Sequence, residues 1–451
     1  MPASSYADAI RARLARGPCT AREMAGALGV SQPTVSRALA AMGQEVLRLG
    51  AARSIQYVLR DSQRGLPDLP VYRVDSRGRI MRLGLLLAVR PDGFVVQIEG
   101  RAPEHSEGLP WWLFDMRPQG YLGRAYALRH AADLGLPDRV SHWTDDQALR
   151  ALTRHGHDLV GNLLLGELAR EHYLSQTQPE ALSDEHKALA YARLAREAAR
   201  GDRPGSSAAG EQPKFTAWAL TPGGPAHVLV KFSEPPDSPV SQRWSDLLLA
   251  EHLALQTLNR HAVAAAQSEI LDHGSQRFLE VRRFDRQGYW GRRGLTSLTA
   301  LDAQFVGAPA DQSDWPRLTQ RLAAAGLIGK SAAERAQLLW AFGTLIGNTD
   351  MHNGNLSFLT DSGPPYSLAP AYDMAPMAFA PRSSGGLPEE LPQARIDAAV
   401  PAAQWRRALR LAQEHAELLR LRSDLSRRYQ PCLAALHRHI EQASIKIARL
   451  G

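Results

Sequence analysis

Cysteine is nearly absent. Cys19 and Cys432 are the two in 451 residues, so neither a disulfide framework nor a cysteine-ligated metal cluster can organise this chain. Long apolar runs are missing as well. No uninterrupted stretch reaches the roughly 20 residues a bilayer-spanning helix needs. The opening MPASSYADAIRARLARG lacks the apolar centre of a secretory signal. These absences lead to the expectation of a cytoplasmic protein with no membrane partner. Lysine is scarce too: Lys187, Lys214, Lys231, Lys330 and Lys446 are five of 53 basic residues. Where Arg serves almost everywhere, a retained Lys marks a place that wants a compact ammonium and not a planar guanidinium.

What is present fits a globular protein: 44% hydrophobic and 22% charged residues. The length is too great for one ordinary core, so two or three domains are expected. The net charge of +7 is diffuse, except that residues 1–60 hold eight Arg against three acids. A local basic surplus points to a polyanion partner for that segment.

Within it, YADAIRARLARG predicts a helix with Ile10 and Leu14 on one face. Thr20 and Glu23 form a capping box for a second helix carrying Met24, Leu28 and Val30. Gly29 ends that helix, and a third starts near Ser31 with Pro33 in its first turn. Val35, Leu39 and Met42 form its buried face, which leaves Gln32, Thr34, Ser36 and Arg37 exposed for base edges and phosphates. EVLRLGAARSIQYVLR alternates like a β-hairpin with Arg48 and Arg53 available to phosphate. The segment resembles the winged helix-turn-helix regulators of bacteria, which implies DNA binding; a small helical dimerisation or docking module is the alternative. DSQRGLPDLP, residues 61–70, reads as the linker.

Beyond it, residues 71–100 alternate and turn at DSRG and RPDG, predicting antiparallel strands, and 158–167 reads as another apolar strand. Trp111 and Trp112 read as packing. An Ala-rich helix is expected over 183–200. RPGSSAAGEQPKF then offers small residues that let backbone N–H groups approach phosphate oxygens. In AHVLVKFSEP, Lys231 interrupts an apolar strand, a costly position without an anionic partner. Glu251, on the helix SDLLLAEHLALQTL, is the partner such a strand Lys needs. SQRFLEVRRFDR predicts a strand ending near Glu280 and Val281, whose backbone would serve as an adenine-binding hinge. A helix capped by Ser331 and Glu334 leads to GNTDMHNGN, where Asp350 and Asn355 stand five apart, the spacing of a catalytic base and a Mg2+ ligand. A short hairpin follows and presents Asp373, a second hard oxygen ligand for Mg2+.

The order of these pieces, with SSAAGEQPKF, LVKF, VRRFDR, LIGNTDMHNGNLSF and PAYDMAP, resembles the HipA family of serine/threonine protein kinase toxins over about residues 70–445. The fusion to a helix-turn-helix resembles its YjjJ-type branch. The resemblance implies an α+β, two-lobed protein-kinase-like fold behind an N-terminal winged helix-turn-helix. The expected divisions are 1–62 for DNA binding, 70–175 for a HipA-type subdomain, 176–318 for the N-lobe and 319–451 for a helical C-lobe. It implies ATP and Mg2+ as cofactors, with Asp350 as base, Asn355 and Asp373 on the metal, Lys231 on the phosphates and His352 in a structural place. Ser207, Ala208, Ala209, Gly210, Gln212 and Lys214 would form the phosphate loop, with Ser207 or its neighbour Ser206 autophosphorylated. Pro213, where the family often has a charged residue, cannot donate an N–H. A protein substrate is implied, of the class of aminoacyl-tRNA synthetases and other translation factors. A homodimer fits paired DNA half-sites, and with a reader built in, the need for a separate antitoxin is open. The alternatives are a nucleotide-binding transcription regulator and a small-molecule phosphotransferase on the same scaffold.

Overall fold

The computed structural model describes residues 3–50, 55–199, 212–234 and 238–450. Helices α1 (Ala3–Leu14), α2 (Ala21–Leu28) and α3 (Gln32–Met42) enclose a small core of Ile10, Leu14, Met24, Val35, Leu39 and Met42. The capping box forms: the Glu23 N–H donates to Thr20 Oγ1 at 3.2 Å, and the Thr20 N–H to Glu23 Oε2 at 2.8 Å. Gly29 closes α2 at φ +64°. Strands β1 (Val46–Leu49) and β2 (Gln56–Leu59) pair antiparallel as the expected hairpin.

That hairpin is not a free appendage. Its inner face, Leu47, Leu49 and Val58, is buried against Leu87, Val89 and Val95 of the following sheet. The Asp61 N–H donates to Ala88 O and the Arg90 N–H to Leu59 O, both at 2.9 Å. Residues 61–68 are therefore docked and not a loose tether. Asp61 is buried 3.2 Å from Arg90. Arg64 lies over the Phe94 ring and donates to Gly93 O at 2.8 Å.

The following sheet has five antiparallel strands in the order β6-β5-β4-β3-β7: β3 (Leu69–Val74), β4 (Ile80–Ala88), β5 (Phe94–Ile98), β6 (Glu104–Ser106) and β7 (Leu163–Leu165). The strand read over 158–167 shrinks to three residues, because one 3-10 turn ends at Asp158 and helix α6 (Gly166–Ser175) begins at once. Helices α4 (Gly120–Leu134), α5 (Asp145–His155) and α6 accompany this sheet.

Helix α7 (Asp184–Ala199) opens the N-lobe. Its sheet runs β10-β11-β9-β8, with β8 (Lys214–Thr221), β9 (Gly224–Phe232), β10 (Ser268–His273) and β11 (Gln276–Arg282). Alternation along β9 sends Val228, Val230 and Phe232 to the face covered by α7, where they meet Tyr191, Phe215 and Phe278. The opposite face receives α8 (Pro239–Arg260). Two short strands, β12 (Arg286–Gln287) and β13 (Gly291–Arg292), and a three-stranded sheet of β14 (Leu295–Ser297), β15 (Ser357–Leu359) and β16 (Ser367–Leu368) lead into the C-lobe. There, α9 (Leu298–Leu301), α10 (Trp315–Ala324), α11 (Lys330–Leu345), α12 (Ala402–Arg420) and α13 (Gln430–Ala448) surround Phe342, Leu345, Trp405 and Leu436. Helix α11 starts earlier than expected. Gly329 is its N-cap, so Ser331 lies inside the first turn and the Ser331–Glu334 box does not form. No described helix is long and apolar enough to cross a membrane.

One core residue is out of character. His415 of α12 has 0% exposure and lies edge-on to Phe342, and neither ring nitrogen has a partner among the described residues. Burial pushes its pKa down to about 3. The unfolded chain takes up this proton near pH 6.5 while the folded chain refuses it. Stability is thus unaffected above about pH 6.5 and falls by about 1.4 kcal/mol per unit as pH drops from there toward 3. We expect His415→Leu to raise the melting temperature at pH 7, since it removes two unmet polar atoms, and to flatten the acid side of the stability profile. A lower melting temperature at pH 7 with an unchanged acid slope would contradict this account.

Candidate active site

The strand alternation that buries Val230 toward α7 turns Lys231 to the other face. There it is 4% exposed, and its Nζ lies 2.6 and 2.7 Å from the two Glu251 carboxylate oxygens and 2.7 Å from Asp373 Oδ1. Lys214 is its direct cross-strand partner, so both ammonium stems rise from one face. Burial works against the Lys231 ammonium, but Asp373 and Glu251 outweigh it and its pKa is raised. Burial likewise opposes the Asp373 carboxylate; Lys231, then Lys214, overcomes it and holds the pKa low. At Glu251 burial dominates and the pKa is raised.

The opening that separates α11 from the next strand is built by small residues. Gly347 adopts φ +76°. At Gly343 a Cβ would stand 2.2 Å from Met351 Sδ, so the Met351 side chain of the loop packs directly on the bare helix backbone there. Asp350 projects outward, its side chain 53% exposed. Asn355 Nδ2 donates to Asp350 O at 2.8 Å, while its amide oxygen has no partner among the described residues. His352 braces the loop from within: its Nδ1 accepts from the Gly354 N–H at 3.0 Å, and its Nε2 stands 3.8 Å from Asp350 Oδ1. Trp315 Nε1 holds His352 O at 3.1 Å, and the Tyr372 hydroxyl holds Gly354 O at 2.9 Å.

Asn348 joins the two acidic loops. It is buried, its Oδ1 accepts from the Asp350 N–H at 3.0 Å, and its Nδ2 donates to Asp373 O at 3.1 Å. Asp373 itself sits at φ +53°, a left-handed conformation uncommon outside glycine. The Asn348 bond to its carbonyl and the Lys231 bond to its carboxylate hold it there. Sequence reasoning passed over Asn348. Its signal was an Asn two residues before an Asp, the spacing at which an amide side chain bonds a later backbone N–H.

The residues read from sequence fall into groups. Lys214, Lys231, Asp350, His352, Asn355 and Asp373 lie on the segments that make this cluster. Ser206, Ser207, Ala208, Ala209 and Gly210 lie outside the described residues. Gln212 borders that segment with its Nε2 buried and unpartnered among the described residues. Val281 packs with Leu248, Leu279 and Tyr372 on the Lys231 side. Glu280 is not brought here. It pairs with Val230, so its side chain points to the α7 face, where its Oε2 accepts from the Tyr191 hydroxyl at 2.5 Å and lies 3.2 Å from Lys187 Nζ. Both Glu280 and Val281 sit inside a strand paired on each side, so their backbone groups belong to the ladders and the chain leaves the sheet only after Arg282. In the N-terminal unit Gln32, Ser36 and Arg37 are exposed on α3, Thr34 is half-buried with its hydroxyl 2.9 Å from that of Ser31, and Arg48 is exposed on β1. Arg53 lies outside the described residues.

Comparison with known proteins agrees with this architecture. Residues 66–174 match the family model of the YjjJ-like toxin middle domain, and residues 206–442 that of the HipA-like C-terminal domain. Toxin YjjJ of Escherichia coli strain K12 is 38% identical over 440 residues, 97% of this chain and 98% of that protein. A solved complex of HipA, HipB and operator DNA from Shewanella oneidensis MR-1 contains a chain that superposes with TM-score 0.55 at 17% identity, covering 85% of this chain and 97% of that one. The Helicobacter pylori proinflammatory kinase CtkA covers 54% of this chain and 94% of its own at TM-score 0.39 and 13% identity. With a HipA-like fold, both family domains in sequence and a relative matched over nearly its whole length, the chain belongs to the YjjJ-like branch of the HipA-like toxin family.

Proposed function

We propose that the protein is an ATP- and Mg2+-dependent serine/threonine kinase that modifies a cellular protein and itself. The carrying observation is one connected set: Lys231 held by Glu251 and Asp373, with Asp373 tied through Asn348 to Asp350. In this reading Lys231 and Lys214 bind nucleotide phosphates. Asp350, projecting from the loop, takes the proton of an acceptor hydroxyl. Asn355 Oδ1 and the Asp373 carboxylate would hold Mg2+, hard oxygens suited to an ion that needs one or two protein ligands beside phosphates. Mg2+ would supply charge neutralisation on the transferring phosphoryl group. The donor set fits, because Asn355 Oδ1 and the Asp373 carboxylate are hard oxygen donors and Asp373 is held in its charged form.

We further propose autophosphorylation at Ser207 or Ser206. A dianion there would repel nucleotide phosphates and make the modification self-limiting. The protein target would be a translation factor, with an aminoacyl-tRNA synthetase the class the family resemblance suggests. The N-terminal unit would bind DNA through α3 and the hairpin and regulate its own transcription, with the chain acting as a cytoplasmic homodimer. The related HipA was solved with HipB and DNA; here a built-in reader would take over part of that arrangement.

Three measurements test this reading. Intact-mass spectrometry after incubation with ATP and Mg2+ should show added phosphate on Ser206 or Ser207 in the wild type and none in Asp350→Ala; equal phosphate on both would remove Asp350 from the chemistry. Asn348→Ala should slow single-turnover autophosphorylation about 10²-fold, the scale of an ångström-sized misplacement, while ATP affinity stays near wild type. An equal loss of ATP affinity would make Asn348 a mere structural support. Arg37→Ala should weaken binding to the promoter region of the protein's own gene and reduce the salt slope by about one, and failure of the wild type to shift that DNA at low salt would refute the reader assignment.

A further inference from the structure

Away from the cluster just described, the short hairpin of β12 and β13 buries two like charges side by side. Arg286 and Arg292 are direct cross-strand partners, so their side chains leave the ladder on the same face, an arrangement that is destabilising for like charges. They are 6% and 4% exposed. Arg283 adds a third, largely buried guanidinium. Two carboxylates answer these three cations. Asp285 is buried and bridges Arg283 and Arg286 at 2.8 and 2.7 Å. Asp158 reaches Arg286 at 3.0 Å and Arg283 at 4.0 Å, with 42% of its side chain still exposed to solvent. The surrounding groups do not close the balance. Asp75 spends its carboxylate on Arg79 and offers Arg292 only its carbonyl, at 3.0 Å from the Arg292 N–H. Tyr173 lies under the Arg292 guanidinium at 4.7 Å, and burial holds its hydroxyl protonated. Burial also pushes the pKa of His157 down, which keeps it neutral.

The hydrogen-bond inventory has the same gap as the charge inventory. Arg292 Nη2 donates to His157 O, but Arg292 Nη1, Arg286 Nε and His157 Nδ1 are buried and without a partner among the described residues. These atoms belong to residues that contact one another or stand opposite in one ladder. A buried water would satisfy N–H groups but would leave the surplus charge. An anion meets both demands.

We propose that a small inorganic anion of the chloride class binds between Arg286 and Arg292, accepting from Arg286 Nε and Arg292 Nη1. The position joins two parts of the chain: the turn at His157–Gly161 and the β3–β4 turn on one side, and the exit of the N-lobe sheet on the other. The packing is close there, since a Cβ on Gly291 would stand 2.1 Å from Ser76 O. The anion is thus a structural ion at the seam of the middle domain and the N-lobe, and it stands whether or not the chain is a kinase. Burial, then the charge of Arg286, pushes the Arg292 pKa down to about 9, a penalty that a bound anion relieves.

The test uses the full chain. Its melting temperature is followed in sodium chloride, sodium bromide and sodium gluconate at one ionic strength. The wild type should gain about 2 °C or more in the halides over gluconate, in a saturable manner. Arg292→Met, which removes the surplus charge, should lose the halide response. Arg292→Lys, which keeps the charge but lacks Nη1, should show a weakened one and serves if the Met variant does not fold. Crystals grown in bromide should give an anomalous peak between the two guanidiniums. Equal melting in all three salts, a halide gain that persists in the folded variants, or a bromide crystal with water alone between the two arginines would each overturn the proposal.

Discussion

The ammonium of Lys231 is the constraint around which the two lobes are arranged. A lysine buried to this degree in an otherwise apolar strand is tolerable only when its charge is met at close range. Glu251 meets it from α8, and Asp373 meets it from the C-lobe, so one cation holds the sheet, the helix across it and the loop that follows β16 in a single register. Losing one partner of such a buried set typically costs about 3–5 kcal/mol, because the remaining charge is stranded.

From that anchor the geometry passes outward through hydrogen bonds and not through further charges. Asp373 is held in a left-handed conformation, and its carbonyl is the acceptor that Asn348 reaches. The other end of the same amide fixes the Asp350 backbone. Two carboxylates far apart in sequence thus share one rigid spacer, while Asp350 keeps its own side chain in solvent. A buried amide suits this role, since it donates at one end and accepts at the other without adding charge to a crowded site.

The N-terminal unit obeys a simpler rule. Its hairpin has one apolar face, and a two-stranded ribbon is marginal alone. Burying Leu47, Leu49 and Val58 on the neighbouring sheet stabilises the ribbon and removes its freedom. The exposed residues of α3 are consequently presented on a platform continuous with the middle sheet, so whatever α3 engages is held in fixed relation to that domain.

How much of this was legible in the residues differs by feature. The capping box at Thr20 and Glu23, the left-handed Gly29, the strand placement of Lys231 and the order from Lys231 through Glu251 and Asp350 to Asp373 follow from local chemistry and periodicity, which act over a few residues and leave a pattern in the chain. That pattern also says which face a side chain takes, and it turns the Glu280 carboxylate toward Tyr191 and Lys187; where the strand ends was less legible, since its pairing continues to Arg282, past the expected hinge. The start of α11 was misplaced by a cap that glycine supplies through backbone alone. Only the tertiary structure decided that Lys231 would have two carboxylate partners, that Asn348 would bridge two loops, that the hairpin would dock, and that Arg286 and Arg292 would be buried side by side. Each of these depends on which distant segment arrives at a given face, and contact between segments tens to hundreds of residues apart leaves no period in a single sequence.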